Sequence, residues 1–295
     1  HWIARAGHMV VVLEKEPMPR ERVCGDALTP KAVGHLHDMG LGVACDGFHR
    51  HNGLRMTAHG RSIELRWPTD HDHPSHGLVV RRGVLDQLLL EHTSDVGAQV
   101  WTGVEVLDPI IEHGHLRGCR AVGSGLGTGP QGDVEVRARF VVIADGPLSP
   151  FGRALGTART RTYAQGVAMR GYFPSIHHAD DTIESVFDLR DSTGEQLPGY
   201  GWVFPVGDGT VNTGVGLLSH HQGNDPRSVR ELFDQWIFQI PEYWEITPDK
   251  IRGEPEGGRL PMGASVKPRS GPNWVVVGDA AGSVNPFNGD GIEPA

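Results

Sequence analysis

The sequence predicts an α/β protein in which a parallel-sheet, nucleotide-binding body carries a strand-rich insertion. Short β-branched runs beginning at Met9, Phe140 and Trp274 each lead into an acidic residue, Glu14, Asp145 and Asp279. This is the pattern of inner strands whose carboxyl ends face a ligand. Glycines crowd the turns after the last two of these strands, where backbone must come close to a neighbour. Residues 46–77 and 156–269 read instead as strand-rich segments set between the pieces of that body.

Along the chain, Trp2-Ile-Ala-Arg-Ala-Gly7 reads as a helix and Met9-Val-Val-Val-Leu-Glu14 as the strand after it. In a dinucleotide-binding βαβ unit the acid ending the second strand grips ribose hydroxyls, and Glu14 stands in that place. The first strand and its Gly-x-Gly-x-x-Gly turn are not found ahead of it, and the chain opens on His1. The start therefore reads as a truncation of roughly twenty residues, which would deprive a pyrophosphate of its cradle of N–H donors. Gly83 to Val96 reads as an amphipathic helix, with Leu85, Leu88, Leu89 and His92 at helical spacing. The glycine-rich Gly123 to Gly129 has the wrong spacing for a nucleotide fingerprint and reads as a hairpin loop.

After the strand from Phe140, Ser149 is placed to cap a helix beginning at Pro150. Asp145 suits contact with a cofactor, with a helix terminus, or a structural Asp-Gly turn. Tyr200, Trp202 and Phe204 alternate with Gly201 and Val203, so a strand puts the three rings on one face. That face suits an apolar ligand or the protein's own core. The last strand leads into Gly278-Asp279-Ala-Ala-Gly282, where Asp279 can accept hydrogen bonds from a polyol or ribose. Asn288 to Ile292 then offers backbone N–H groups at an expected second helix N-terminus, a place for a flat, phosphate-bearing cofactor.

Length and composition bound the rest. The 295 residues allow two domains with a sizeable core. A net charge of −9 argues against nucleic acid or an anionic lipid surface as the main partner. No apolar run spans a bilayer and no signal peptide is visible. Cys24, Cys45 and Cys119 form no disulfide framework, which suggests a reducing cytoplasm. The pairs His35/His37 and His113/His115 and the cluster His71, His73 and His76 could each bring two imidazoles together, but only the cluster has carboxylates close by, Asp70 and Asp72, and its proline and charge content reads as a solvated loop rather than a metal site.

Together these residues resemble the geranylgeranyl reductase branch of the flavoprotein monooxygenase-like fold, and within it the actinobacterial menaquinone reductases. The resemblance is carried by Glu14, by Pro19-Arg-Glu-Arg-Val-Cys-Gly-Asp26 with Leu28-Thr-Pro-Lys-Ala-Val33, by Val80-Arg81 and by Ala144-Asp-Gly146. Leu197 to Pro205, Gly278-Asp279 and Gly289-x-Gly291-Ile292 complete it. It implies a Rossmann-like FAD-binding domain of the glutathione reductase type, made of residues 1–45, 78–155 and 270–295. Residues 46–77 and 156–269 would form a β-rich substrate domain.

By resemblance, Glu14 holds the adenosine ribose, Arg20 and Arg81 contact FAD, and Asp279 binds its ribitol or pyrophosphate. Cys24 and Gly25 lie beside the isoalloxazine, with Gly289, Gly291 and Ile292 giving it backbone contacts. On the residues alone, Cys24 is equally readable as a buried packing residue, and Arg20 and Arg81 as surface ion pairs. The implied activity is reduction of an isoprenoid C=C bond in a prenylated lipid or quinone, with Tyr200, Trp202 and Phe204 against the substrate and Cys24 or Tyr200 among the candidate proton donors. The electron donor, NAD(P)H or a reduced carrier, is open, and so is peripheral contact with a membrane. A flavin hydroxylase of the same fold and an incomplete, inactive chain are the alternatives.

Overall fold

The computed structural model describes residues 1–69, 72–160, 162–163, 165–219 and 229–294. Two parallel strand pairs carry the predicted acids. Val11–Glu14 pairs in parallel with Gln99–Thr102, and Val141–Ile143 with Trp274–Val276. Trp274 and Val276 are buried with Ile143 and Phe151, as inner strands require. The helix Arg82–Asp95 follows the short strand Gly77–Val79 and packs on the cluster around Leu28, Val33, Leu78 and Leu85. The glycine run at 123–129 joins the antiparallel strands His115–Gly123 and Gly132–Arg137, so it is a hairpin loop.

The insertion builds a seven-stranded sheet in the order Arg252–Pro261, Gln165–Pro174, Thr210–Ser219, Gly199–Pro205, Thr182–Val186, Gly53–Ala58, Arg61–Arg66. Its pairings are antiparallel except that between Thr182–Val186 and Gly53–Ala58. The strand His49–His51 stands outside it and pairs with Gly77–Val79, which also pairs with Ala27–Leu28.

Period-two alternation gives this sheet two faces. One buries Phe173, Val203, Val211 and Val215 under the helix Val229–Trp236, with Leu232, Phe233 and Trp236 facing it. At Gly201 an added Cβ would stand 2.4 Å from the Trp236 ring, which is why the aromatic strand has glycine on the helix side. The opposite face presents Tyr200, Trp202 and Phe204, with neighbouring ring centroids 6.1 and 6.2 Å apart. The three aromatics are therefore not the residues that pack the helical core.

Among the described residues, no helix is long and apolar enough to cross a membrane. Among them too, no group of three His, Cys, Asp or Glu is placed to hold a metal; Asp70 and His71 lie outside the described residues.

Candidate FAD and substrate site

The segment from Arg20 to Asp26 runs between the parallel strand ends and the aromatic face, pinned at each end. Arg20 donates from Nη2 to Glu14 Oε2 at 2.9 Å, and its Nη1 stands 3.5 Å from Asp86 Oδ2. Arg170 donates to the Arg22 carbonyl at 3.2 Å. Asn212 Nδ2 donates both to the Cys24 carbonyl at 2.9 Å and to Asp26 Oδ2 at 2.8 Å. Trp202 Nε1 donates to Asn212 Oδ1 at 3.0 Å and so sets the orientation of that amide. The Tyr172 hydroxyl donates to the same Asp26 oxygen. A Cβ at Gly25 would lie 2.9 Å from the Phe204 ring, so glycine lets the loop backbone lie against the aromatics.

On the other side of the loop, Arg20, Arg22 and Arg82 form a cationic group. Arg82 donates to both oxygens of Asp86, at 2.8 and 3.1 Å, and its charge acts on the Cys24 thiol. Burial, then the charges of Arg20 and Arg82, pull the Arg22 pKa down. No hydrogen-bond or ion-pair partner holds the Arg22 guanidinium among the described residues. Asp279 is its counterpart, a half-buried carboxylate that no described donor satisfies. Burial pushes the Asp279 pKa up, while Arg22, Arg82 and Arg159 oppose that.

An unmet guanidinium beside an unmet carboxylate is costly unless an incoming group answers both. A diphosphate carrying polyol hydroxyls does so, accepting from one and donating to the other. The residues present therefore fit FAD.

The structure revises several sequence expectations. Arg81 turns away from the loop: it pairs with Asp208 at 2.8 Å, donates to Thr210 Oγ1 at 3.0 Å and lies 3.9 Å over the Tyr172 ring. Its neighbour Arg82 is the first residue of the helix whereas Arg81 is the extended residue that precedes it, and it is the Arg82 charge that acts on Cys24 and Asp279. Ser149, at φ 36°, makes no cap bond; Asp145 Oδ2 accepts from the Phe151 N–H at 2.9 Å and caps that helix. Of the readings open for Asp145, the helix terminus is the one its side chain occupies.

No helix begins at 289–292 among the described residues. The segment is a turn in which Asp290 accepts from the Ile292 N–H at 2.9 Å, and Asn285 from the Gly289 N–H at the same distance. Among the described residues, only Gly291 of this segment keeps its N–H without an acceptor, and a Cβ added there would lie 3.7 Å from Asp279 Oδ1.

Tyr200 is not set up as an acid. Its hydroxyl donates to the Asn288 carbonyl at 2.7 Å, and burial pushes its pKa up to about 12. Gly289, at φ 73°, passes directly above that hydroxyl, where a Cβ would stand 2.9 Å away. Cys24 is half-buried, and its thiol is pushed up by burial first and by the charge of Asp26 second. Glu14 keeps lone pairs on both oxygens although Oε1 accepts from the Glu16 N–H and Oε2 from Arg20.

Sequence reasoning did not single out Arg22, Asp26, Tyr172, Arg82 or Asn212. Arg82 had a readable signal, an acid four residues on at Asp86. Tyr172 and Asn212 had none, because strand pairing alone brings them opposite each other.

The FAD binding domain family matches residues 1–295. Menaquinone reductase of Mycobacterium tuberculosis is 39% identical over 295 residues, covering 99% of this chain and 69% of the relative. Digeranylgeranylglycerophospholipid reductase 2 of Methanopyrus kandleri is 27% identical over 295 residues, covering 98% of this chain and 68% of the relative. A geranylgeranyl bacteriochlorophyll reductase-like protein of Thermoplasma acidophilum superposes with a TM-score of 0.81 at 24% identity, covering 99% of this chain and 70% of that one. The fold, the cationic cradle and these likenesses agree on FAD as the cofactor. The chain belongs to the FAD binding domain family, as a geranylgeranyl reductase-like FAD-dependent oxidoreductase.

Proposed function

We propose that the protein saturates a carbon–carbon double bond in an isoprenoid chain, with one isoprene unit of a menaquinone side chain as the substrate. The observation that carries this reading is the placement of the Cys24–Gly25 backbone against the aromatic face of Tyr200, Trp202 and Phe204, beside the Arg22 and Asp279 cradle. An isoprenoid offers almost nothing to hydrogen-bond, so an aromatic wall is the surface able to orient it.

Bound FAD, once reduced by a nicotinamide or a reduced carrier, supplies a hydride to one alkene carbon. The protein's part is to hold and to protonate. Arg22 and Arg82 would hold the diphosphate, and Asp279 would take hydroxyls of the ribitol. Trp202 and Phe204 keep water from the double bond. The Cys24 thiol gives its proton to the second alkene carbon, and water restores it. Since the protein carries a net charge of −9, contact with a membrane that holds the substrate would be apolar and local.

The test is anaerobic. The FAD-loaded protein is photoreduced and mixed with menaquinone, and the flavin absorbance is followed. Reoxidation that needs the prenyl chain, and fails with a quinone lacking it, supports the reading. Reoxidation at equal rates by both quinones assigns the electrons to the quinone ring and removes it.

A further inference from the structure

Asn212 lies on the strand Thr210–Ser219, directly opposite Tyr172 on one neighbouring strand and Phe204 on the other, and it is fully buried. Directly opposite residues share a face, so the amide stands on the aromatic side of the sheet and not under the helix Val229–Trp236. A carboxamide is a poor filler of such a position, where β-branched and aromatic residues pack better. Here each of its polar atoms is met. Trp202 Nε1 donates to Oδ1 at 3.0 Å, while Nδ2 donates to the Cys24 carbonyl at 2.9 Å and to Asp26 Oδ2 at 2.8 Å. The indole can only donate and the carbonyl can only accept, so the amide has one orientation.

The two bonds from Nδ2 fall on either side of Gly25. With residues 24 and 26 tied to one amide, the backbone between them is drawn onto the rings. A Cβ at Gly25 would stand 2.9 Å from the Phe204 ring and 3.5 Å from Trp202 Nε1. The indole is fixed from its benzo edge as well, where a Cβ at Gly214 would lie 2.4 Å from the ring. Loop and aromatic strand are thus joined through a single side chain, and a buried polar network with every member satisfied specifies one arrangement.

We propose that Asn212 is the positioning residue that seats the Cys24–Gly25 backbone on Trp202 and Phe204, and so sets the width of the gap in which an isoprenoid double bond meets the flavin. This rests on the reductase reading. Transfer to the double bond demands reacting atoms about 3–3.5 Å apart, and a misplacement of about 1 Å can lower the rate roughly a hundredfold. Asn212 acts through the loop and the ring, which do the touching.

The test is Asn212→Asp, which is nearly the same shape. Its carboxylate still accepts from Trp202 but has no donor for the Cys24 carbonyl or for Asp26. Native-state trypsin should cut this variant after Arg20 or Arg22 roughly tenfold faster than the wild type, with cuts elsewhere at the wild-type rate. Reoxidation of photoreduced FAD by saturating menaquinone, measured per bound flavin, should slow by roughly 10–100-fold. A merely structural role would lower the folded fraction and leave the rate per bound flavin unchanged. Loop cuts no faster than the rest of the chain overturn the proposal, and so does an unchanged rate per bound flavin. Should the variant not fold, Trp202→Phe decides, because it removes the donor that orients the amide: faster cuts in the loop support the proposal and unchanged cuts overturn it. A wild type that menaquinone does not reoxidise fails the reductase reading alone, and the trypsin pattern, which needs neither FAD nor turnover, still decides whether Asn212 seats the loop.

Discussion

The Tyr200 hydroxyl donates a 2.7 Å hydrogen bond to the Asn288 carbonyl, joining the aromatic strand to the turn that follows Asp279. One side chain thus couples the surface proposed for substrate to a segment proposed for the flavin. Tyr200→Phe removes one such bond, worth about 0.5–1.5 kcal/mol. FAD affinity should fall by no more than roughly tenfold, with turnover at saturating FAD largely kept. Fluorescence titration followed by turnover checks both. Loss of turnover with unchanged affinity would return Tyr200 to the role of acid.

Arg22→Ala removes a guanidinium that has no hydrogen-bond or ion-pair partner among the described residues, so stability should change little. FAD binding should weaken by roughly 10–100-fold, the scale of a lost charge-assisted hydrogen bond. Arg81→Ala, whose side chain pairs with Asp208 outside the cradle, should leave FAD affinity nearly unchanged. Titration of the two variants side by side ranks the residues.

Gly214 sits behind Trp202, and a Cβ there would lie 2.3 Å from the Met169 carbonyl and 2.4 Å from the Trp202 ring. Gly214→Ala must push the indole off Asn212, at a cost of about 1–3 kcal/mol for overpacking. The denaturation midpoint should fall and KM for the prenyl substrate should rise, with FAD affinity less affected. An unchanged KM would show that Trp202 does not contact the chain.

Two buried groups give opposite pH dependences. Asp26 titrates at about 6 in the fold against 3.8 for an ordinary Asp, so the unfolded chain loses its proton first and stability falls as pH rises between those values. His51 titrates at about 4 against 6.5, because it is buried between the Leu28 carbonyl and the Trp67 indole. The unfolded chain binds its proton first, so stability rises with pH over nearly the same window. Each effect has a ceiling of about 3 kcal/mol, and in the wild type they largely cancel. Asp26→Asn should unmask the rise, giving a protein that gains stability from pH 4 to 6.5 where the wild type stays nearly level. Urea titrations across that range read it, and parallel curves for the two proteins would refute it.

The parallel strands, the helix after Val80, the glycine hairpin and the one-sided aromatics were all legible, because each follows from a local period or a local stop signal. The exact cation at the site was not. Arg81 and Arg82 are neighbours of identical chemistry, and where the helix starts, after Arg81, decides which one acts on Cys24. The cap also went to another residue: Ser149, at φ 36°, makes no side-chain cap bond, and Asp145 accepts from the Phe151 N–H in its place. The network around Asp26 lay beyond any local reading. Tyr172 and Asn212 meet across a strand register, far in sequence from the loop they hold.

The most direct measurement is the mass of the product after a single anaerobic turnover in D2O with menaquinone and reduced FAD-loaded protein. The account predicts a side chain saturated at one double bond, with a solvent-derived deuterium on each of its two carbons, since the N5 hydrogen of a reduced flavin and the thiol proton both exchange with solvent, and no oxygen gained. An unsaturated side chain recovered unchanged, or an oxygen atom incorporated when air is admitted, would contradict it.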